Sequence, residues 1–434
     1  MKNTNRLVSW RTATVAVAFP LVGVLALSGC SGSSGSGSSG STDGVTTLTF
    51  ATQTYEKENP YEAVAKKFEA SHPNIKIKMV TTPIDQYANV LKTQLTGGNA
   101  PDVFFGASGS GGSNALLGYA DAGFLMDLTD QGWANKQVPD NAKGLFYKDD
   151  KQYALPVSIA PIVMITNESA AKAAGVAFPK TSADLMKLCE GRAAAGKSTI
   201  ALPGSVPGGA GLFLMEVAAS TVYSQDPDWN QKRADNKTTF AGTQGWKDAL
   251  QRIVDMNKAK CFQPGAEGGT FEQLAPLISS GTALMTSAPA NQLSNLQKAA
   301  TGQTISVATL PGTSAAQTRL FASPSDALAV NAATKNRDAA LEFLKYWTDT
   351  QVATDFADER GDAPISIVTT GDVPAKLAPI APLLKDQSKY LPLANLSWPN
   401  PEVYTALGSG VQGLLTGQTT VDQVLAAADA AWSN

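Results

Sequence analysis

Residues 46–80, TTLTFATQTYEKENPYEAVAKKFEASHPNIKIKMV, carry the pattern that decides the fold. The first five of them have the β-branched and aromatic content of a short strand, and residues 61–68 repeat apolar side chains at helical spacing. Residues 75–80 then alternate apolar and polar side chains, as a half-buried strand does. The stretch therefore predicts a strand, a helix and a strand in succession, which is a β-α-β unit.

The same alternation continues outward from this unit. A second helix is expected over residues 86–95, and residues 101–105 have the apolar content of a buried strand. Further along, residues 162–165 are continuously apolar, and helices are expected at 167–174 and 246–259. This order of elements predicts an α/β fold in which helices cover both faces of a parallel sheet.

The length of the chain predicts more than one core. About 390 residues follow residue 45, which is more than a single hydrophobic core usually organises. We therefore expect two lobes. The sequence contains no internal repeat and no linker between its halves, so the chain is expected to cross between the lobes more than once.

The N-terminal residues have the layout of a secretory signal peptide. Lys2, Arg6 and Arg11 precede an apolar run over residues 15–27, which is shorter than the roughly 20 residues that span a bilayer. The run ends in Leu-Ser-Gly before Cys30, a pattern that resembles the bacterial lipobox. We expect residues 1–29 to be removed and Cys30 to carry a lipid that holds the protein at the outer face of the cell membrane. The alternative is an ordinary signal peptide followed by a chance cysteine.

Residues 30–45 are expected to form a tether, because residues 31–41 are entirely Gly and Ser. Loss of residues 1–29 removes three positive charges and no negative one, which takes the formal net charge from −3 to −6. No basic block remains that would bind phosphates, so nucleic acid is not an expected partner.

The histidine content argues against most kinds of enzyme. His72 is the only histidine, whereas general-base chemistry and most transition-metal sites rely on imidazole. The sequence has no Gly-x-Ser-x-Gly, Walker A, His-Glu-x-x-His or Cys-x-x-Cys motif. A glycosidase with two carboxylates stays open as an alternative, because such acids carry no local signature. We expect a protein that is not an enzyme and that uses neither a cofactor nor a metal ion.

Two cysteines remain once Cys30 carries a lipid. Outside the cytoplasm, two thiols such as those of Cys189 and Cys261 pair more often than they stay free. We expect a disulfide that stabilises the fold by about 4 kcal/mol, by restricting the unfolded chain. The alternative is a pair of buried thiols that act as small apolar side chains.

Taken in order, several segments resemble the extracellular solute-binding proteins of ABC importers, in particular the carbohydrate-type branch related to maltose-binding protein. With the opening strand, they span nearly the whole chain after residue 45. The segments are 68–77 (FEASHPNIKI), 95–103 (LTGGNAPDV), 153–157 (YALPV), 277–285 (LISSGTALM), 339–345 (AALEFLK) and 413–418 (GLLTGQ).

The resemblance implies a two-lobed α/β periplasmic-binding-protein (type II) fold, in which a hinge joins the lobes and the solute lies in the cleft between them. By analogy, the first lobe takes residues 46–155 and 288–348, and the second takes 156–287 and 349–434. The resemblance further implies a monomer that hands a sugar or amino sugar to the transmembrane permease subunits of an ABC importer. On the same fold, a polyamine, a metal or a phosphorylated compound is the alternative solute.

A sugar site needs aromatic planes and paired hydrogen-bonding groups on the loops that follow the strands. Trp398 is expected to stack on the sugar, because it precedes the penultimate helix, where relatives of maltose-binding protein place a Trp; the alternative is a Trp packed in the core. The loop of residues 106–113 carries Gly and Ser where the family often has Trp and Asp, which exposes backbone N–H groups that can bind hydroxyls, with an anion as the alternative. The other candidates, for each of which a structural or surface role is the alternative, are Gln53, Tyr55, Gln86, Ser108, Asn291, Ser323, Asp326 and Arg360.

Overall fold

The computed structural model describes residues 44–53, 59–112 and 114–433, apart from the side chains of Ile84 and Asp85. The predicted signal peptide, Cys30, the Gly/Ser tract and the candidate Tyr55 lie outside the described residues. None of the helices within these ranges has both the length and the apolar character that a membrane crossing requires.

The strands of the described residues are β1 Thr46–Gln53, β2 Ile75–Thr82, β3 Val103–Ala107, β4 Tyr147–Lys148, β5 Lys151–Gln152, β6 Leu155–Pro156, β7 Ser158–Asn167, β8 Ile200–Ala201, β9 Met285–Pro289, β10 Ile305–Ala308, β11 Leu320–Ser323, β12 Asp326–Val330, β13 Ala363–Pro364 and β14 Tyr390–Leu391. The α-helices are α1 Pro60–Ser71, α2 Ile84–Thr96, α3 Leu116–Asp121, α4 Gly132–Asn135, α5 Glu168–Ala173, α6 Ser182–Ala194, α7 Pro207–Ala218, α8 Trp229–Ala234, α9 Gln244–Lys258, α10 Leu274–Ser279, α11 Leu293–Ala299, α12 Arg337–Tyr346, α13 Thr350–Arg360, α14 Ile367–Thr370, α15 Ala381–Leu384, α16 Glu402–Thr416 and α17 Val421–Trp432. Short 3-10 turns lie at Asp140–Leu145, Ala266–Gly268, Phe271–Gln273, Ala290–Gln292, Ala375–Ile380 and Ala394–Ser397, and a π turn at Ala219–Tyr223.

The first sheet contains the predicted β-α-β unit. Its strand order is β2-β1-β3-β12-β6, and β1 pairs in parallel with both β2 and β3. Helix α1 begins after Asn59, whose side-chain oxygen accepts the N–H of Tyr61 at 3.1 Å, with Pro60 at its first position. The helix buries Tyr61 and Phe68, whose rings make edge-to-face contacts with Phe50 and Phe343. The unit predicted from residues 46–80 is thereby confirmed.

The second sheet has the order β14-β11-β7-β9-β8, and β10 and β13 also pair with β7. Its centre is the ten-residue strand β7, whose side chains are almost all buried because helices cover both faces. Strands β9, β10 and β11 run antiparallel to β7, while β8 is parallel to β9 and β14 to β11. In the first sheet, β12 runs antiparallel to both β3 and β6. Both large sheets are therefore mixed, where the sequence predicted parallel sheets.

Over the residues that the structure describes, the chain crosses between the two sheets three times, at residues 156–158, 323–326 and 360–363. The second crossing differs from the predicted boundary, which gave residues 288–348 to the first lobe. Strands β10 and β11 bury their apolar side chains against β7, so the chain returns to the first sheet only at β12. Conversely, Val352 and Phe356 of α13 pack into the core of the first lobe, although residues 349–434 were predicted to belong to the second.

A disulfide joins Cys189 of α6 to Cys261, which follows α9. Both residues are fully buried in the core of the second lobe. The pairing expected from the cysteine content is present, and its closed loop spans a sequence separation of 72 residues. The chain-entropy model gives about 4 kcal/mol of stabilisation for a loop of this size.

Candidate functional site

The directions of the strands place a cleft between the two sheets. In the first sheet, β3 ends at Ala107 beside Asp326, which opens β12 directly after a crossing. In the second sheet, β9 runs antiparallel to β7 and ends at Pro289, which pairs with Ile162 in the half of β7 that follows a crossing. The carboxyl ends of β1 to β3 and of β8, β9, β11 and β14 therefore face the opposite lobe. Ligands of open α/β sheets bind at such edges.

On the second lobe, a groove opens at the carboxyl end of β9. It has a volume of 460 Å³, and we call it the Phe271 groove because that ring stands at its rim. The lining residues are Phe271, Glu272, Leu274, Ala275, Thr286, Ala288, Pro289, Gln292, Asn295 and Leu296. The Phe271 side chain is 51% exposed, in a molecule whose other described Phe residues are buried or half-buried. An aromatic ring exposed at the rim of a groove is available for contact with a solute.

Phe271 is held in place by the start of α7, the helix that follows β8. A Cβ atom on Gly209 would lie 3.2 Å from the Phe271 ring, so the glycine lets ring and helix pack closely. On the other side of this helix start, the hydroxyl of Tyr404 donates to the carbonyl oxygen of Gly208 at 2.9 Å. Burial raises the pKa of Tyr404 well above its ordinary value, so the phenol remains a hydrogen-bond donor. Two aromatic rings thus flank residues 207–211 at the sheet edge.

Sequence analysis did not select Phe271. The signal was present, because this aromatic residue stands between Gly269-Thr270 and Glu272-Gln273, outside any apolar periodicity. A large apolar side chain that fits neither a strand nor a helix pattern has no predicted place in the core. That criterion would have placed Phe271 among the candidates.

Trp398 does not face the cleft, and its predicted role in stacking on a ligand is corrected here. The ring is fully buried, with ring centroids 5.5 Å from Phe240, 6.2 Å from Trp432 and 6.4 Å from Trp246. Its indole N–H donates to the side-chain oxygen of Asn230 at 3.2 Å. The apolar surface of four large rings is removed from water together, which favours this cluster over an exposed tryptophan.

Asp326 and Arg360 contact each other instead of open solvent. Arg360 forms an ion pair with Asp326 and another with Asp362, where Nε and Oδ2 are 3.0 Å apart. The hydroxyl of Ser158 donates to the same Asp362 oxygen at 2.9 Å. These four residues, the hinge cluster, come from all three crossings between the lobes. Burial raises the pKa of Asp362, while the Arg360 guanidinium opposes that shift.

Ser323 and Asn291 also lie near the crossings. The Ser323 hydroxyl accepts the N–H of Leu393 at 2.5 Å and is buried, so it holds backbone together and does not reach the cleft. Asn291 is half-buried, its side-chain oxygen accepts from Gln292 at 3.1 Å, and its backbone abuts Gly361. Asn291 therefore stands at the sheet edge, one residue from the lining of the Phe271 groove.

The first lobe contributes Gln53 and Gln86 at its edge of the cleft. Gln53 ends β1 and is half-buried, and Gln86 is exposed in the first turn of α2. Ser108 is fully buried, so its hydroxyl is not presented to a ligand, and this prediction is corrected. Tyr55 lies outside the described residues and remains a prediction.

In the loop after β3, two backbone N–H groups donate hydrogen bonds to the other lobe. The N–H groups of Ser110 and Gly111 both donate to the carbonyl oxygen of Leu396 at 3.0 Å. The expectation that these groups bind a solute's hydroxyls is therefore wrong for this conformation. Among the residues that the structure describes, no group of three His, Cys, Asp or Glu side chains is placed to hold a metal ion.

The chain is similar to known proteins in sequence and in fold. The model of the bacterial extracellular solute-binding protein family matches residues 52–354. Among curated proteins, the multiple sugar-binding protein of Streptococcus mutans is 22% identical over 347 residues, which are 78% of this chain and 79% of that protein.

Two solved structures share the fold. RafE in complex with raffinose superposes with a TM-score of 0.72 at 19% identity, over 89% of this chain and 98% of RafE. A family 1 extracellular solute-binding protein from Bifidobacterium longum subsp. infantis superposes with a TM-score of 0.74 at 23% identity, over 90% of this chain and 99% of that one. These likenesses confirm the two-lobed α/β fold.

Proposed function

This chain belongs to the bacterial extracellular solute-binding protein family, and on that premise we propose that it captures a carbohydrate in the interlobe cleft for an ABC importer. The observation that carries the proposal is the half-exposed ring of Phe271 at the rim of its groove. A sugar ring has apolar C–H faces that stack on an aromatic plane, and its edge carries hydroxyls that need hydrogen-bonding partners.

The Phe271 groove supplies both kinds of surface. Beside the aromatic ring, Glu272, Gln292 and Asn295 are charged or polar side chains at its rim, and Ala288 and Pro289 form its apolar floor. Carboxylate and amide groups accept and donate in pairs, as the neighbouring hydroxyls of a sugar require. This combination supports a neutral polyhydroxylated solute over an anion, because no Lys or Arg lines the groove.

We assign the opposite wall of the site to the first lobe. Gln53 and Gln86 stand at the carboxyl edge of the first sheet, with Tyr55 predicted beside them. Asn291 completes the polar set from the second lobe. Closure of the lobes about the crossings brings these groups to the two faces of one solute, which is how hinged receptors bind. The relatives named as binding a range of sugars, or solved with raffinose, support the carbohydrate class.

We further propose that a lipid on Cys30 holds the protein, as a monomer, at the outer face of the membrane, where it delivers the sugar to the permease subunits. The Gly/Ser tract of residues 31–41 then provides reach and rotation. Replacement of Cys30 by Ala is expected to abolish labelling by a radioactive fatty acid and to leave sugar binding unchanged. Equal labelling of the variant and the wild type would contradict the anchor.

A thermal-shift panel of the purified protein tests the function. Mono- to trisaccharides and amino sugars are tested beside polyamines, divalent metal ions and phosphorylated compounds. A true ligand at 100 times its dissociation constant stabilises the folded state by about 2.7 kcal/mol, which raises the melting temperature. We expect stabilisation by at least one saccharide. Stabilisation by metals, polyamines or phosphates alone would overturn the carbohydrate proposal.

A further inference from the structure

Away from the three crossings, hydrogen bonds join the two lobes at β14 and in the segment that follows it. The N–H groups of Ser110 and Gly111, in the first lobe, donate to the carbonyl oxygen of Leu396, each at 3.0 Å. The side-chain amide of Asn141, also in the first lobe, donates to the carbonyl oxygen of Tyr390 at 3.0 Å. We call these three hydrogen bonds the latch.

Each half of the latch is anchored in its own lobe. In the first lobe, the N–H of Gly109 donates to the carbonyl oxygen of Leu145 at 2.8 Å. In the second, the side-chain amide of Asn230 donates to the Ala394 carbonyl oxygen and to the Ser397 hydroxyl, both at 2.8 Å. Leu145 and Ala394 are buried in the cores of the first and second lobes. The lobes can therefore part by breaking the latch, with neither half unfolded.

The latch lies beside an open pocket of 270 Å³ that both lobes line. Asn141 and Leu145 line it from the first lobe, and Tyr223, Asn230 and Leu391 from the second. Water in this pocket can replace the latch hydrogen bonds when they break, so each of them contributes modestly to the contact. The latch is thus a reversible contact between the lobes.

Gly111 lacks a side chain at the point where the lobes meet. A Cβ atom on Gly111 would overlap the carbonyl oxygen of Asn395, and its three nearest atoms would all belong to Asn395 and Leu396 in the second lobe. A Cβ on Gly112 would have only first-lobe atoms as its nearest neighbours, at 3.8 and 3.9 Å. Neither glycine lies in the left-handed region, so both positions accept Ala without backbone strain. Ala at position 111 therefore opposes the approach of the lobes and leaves the first lobe itself undisturbed.

We propose that the latch holds the lobes together and thereby sets the affinity of the cleft for its solute. The inference rests on the proposed carbohydrate function and assigns a regulation to that same site. A solute held between two lobes binds the closed arrangement, so its apparent affinity rises with the fraction of molecules that are closed. The latch raises that fraction without a contact to the solute.

Hydrogen exchange of the protein without solute is the first test. The full chain, purified in detergent, is compared with Gly111→Ala, with Asn141→Ala and with Gly112→Ala as the matched control. The amide of Ser110 is expected to exchange faster in the first two variants than in the wild type and the control, because its hydrogen bond to Leu396 opens more often. In Asn141→Ala the substituted side chain is far from Ser110 in sequence, so faster exchange there reports that the latch opens as a unit.

Calorimetric titration with the saccharide that stabilises the protein best is the second test. Gly111→Ala, which loses two hydrogen bonds between the lobes, is expected to bind at least about fivefold more weakly than the wild type. Asn141→Ala, which loses one, is expected to bind at least about twofold more weakly. Gly112→Ala is expected to match the wild type in affinity.

The outcomes separate this proposal from the function on which it rests. A smaller loss of affinity in Gly111→Ala, or unchanged exchange of the Ser110 amide in both latch variants, would overturn the latch and leave the carbohydrate function standing. Absence of saccharide binding by the wild type would overturn the function and, with it, the role of the latch in affinity. If Gly111→Ala fails to fold, shown by its melting curve, Asn141→Ala decides by the same two measurements.

Discussion

Replacement of Arg360 by Met is expected to destabilise the protein by about 3–5 kcal/mol at pH 7, the cost of breaking a buried ion pair by removal of one partner. We expect a cost of this size because the ion pairs are largely buried. The side chain of Arg360 is 14% exposed, and those of Asp326 and Asp362 are 17% and 0% exposed. Met keeps the length of the side chain, so the change isolates the lost charge. Two carboxylates then face each other at the crossings without a counter-ion.

The pH dependence of this cost has a definite sign. Burial already raises the pKa of Asp362, and removal of the Arg360 guanidinium raises it further. A carboxyl whose pKa is higher in the folded than in the unfolded state binds more protons when folded, so stability falls as the pH rises. The cost of Arg360→Met is therefore expected to be smaller at pH 5 than at pH 7, because Asp362 accepts a proton in the variant.

Urea unfolding followed by circular dichroism at both pH values measures this difference. Arg337→Met is the matched control, since Arg337 is 60% exposed and its partner Asp338 is 96% exposed. A surface change of that kind is expected to alter the free energy of unfolding by less than about 0.5 kcal/mol. If Arg360→Met behaved like this control at pH 7, the hinge cluster would not stabilise the junction of the lobes, and the argument from burial would be refuted.

Two further outcomes follow from buried groups in the second lobe. Trp398→Ala is expected to lower the free energy of unfolding, measured in urea, by about 3–5 kcal/mol. The milder Trp398→Phe is expected to leave saccharide affinity within about twofold of the wild type. A clear loss of affinity in a folded Trp398→Phe protein would restore the stacking role of Trp398. Burial raises the pKa of Glu216 to about 8. Between about pH 4.5 and 8 the folded state therefore keeps a proton on Glu216 that the unfolded state has lost. The free energy of unfolding falls over this window as the pH rises, by up to about 1.4 kcal/mol per pH unit. Glu216→Gln is expected to flatten that part of the curve of unfolding free energy against pH, and parallel curves for the two proteins would contradict the assignment.

The spacing of apolar residues along short stretches of sequence predicted individual strands and helices. The β-α-β unit at residues 46–80 follows from alternation in the strands and helical spacing in α1, and the structure reproduces both. The family resemblance, confirmed by the match over residues 52–354, supplied the two-lobed arrangement that local pattern alone left general. Strand direction and lobe boundaries depend on distant pairings such as that of β10 with β7, which no short stretch of sequence encodes.

For the site residues, too, local sequence did not determine burial or contact partners. Trp398 and Phe271 are both large aromatic residues near helix starts, and only the surroundings decide that the first is fully buried and the second half-exposed. Asp326 and Arg360 are 34 residues apart in sequence, yet the crossings bring them into one ion pair. Gln53 and Asn291 lie at strand ends, as the sequence predicted, whereas the contacts of Ser323, Asp326 and Arg360 depend on partners from other segments.

One titration tests the central claim that a carbohydrate binds at Phe271. The saccharide that stabilises the protein best is titrated into the wild type, Phe271→Ala and Phe271→Tyr, the last of which keeps the aromatic plane. Since burial of a whole Phe side chain is worth about 1.5–3 kcal/mol and the ring is already half covered, Phe271→Ala is expected to lose roughly 0.8–1.5 kcal/mol, or about four- to twelvefold in affinity. We expect Phe271→Tyr to bind within about twofold of the wild type. Equal affinity of Phe271→Ala and the wild type would place the solute elsewhere and contradict the claim.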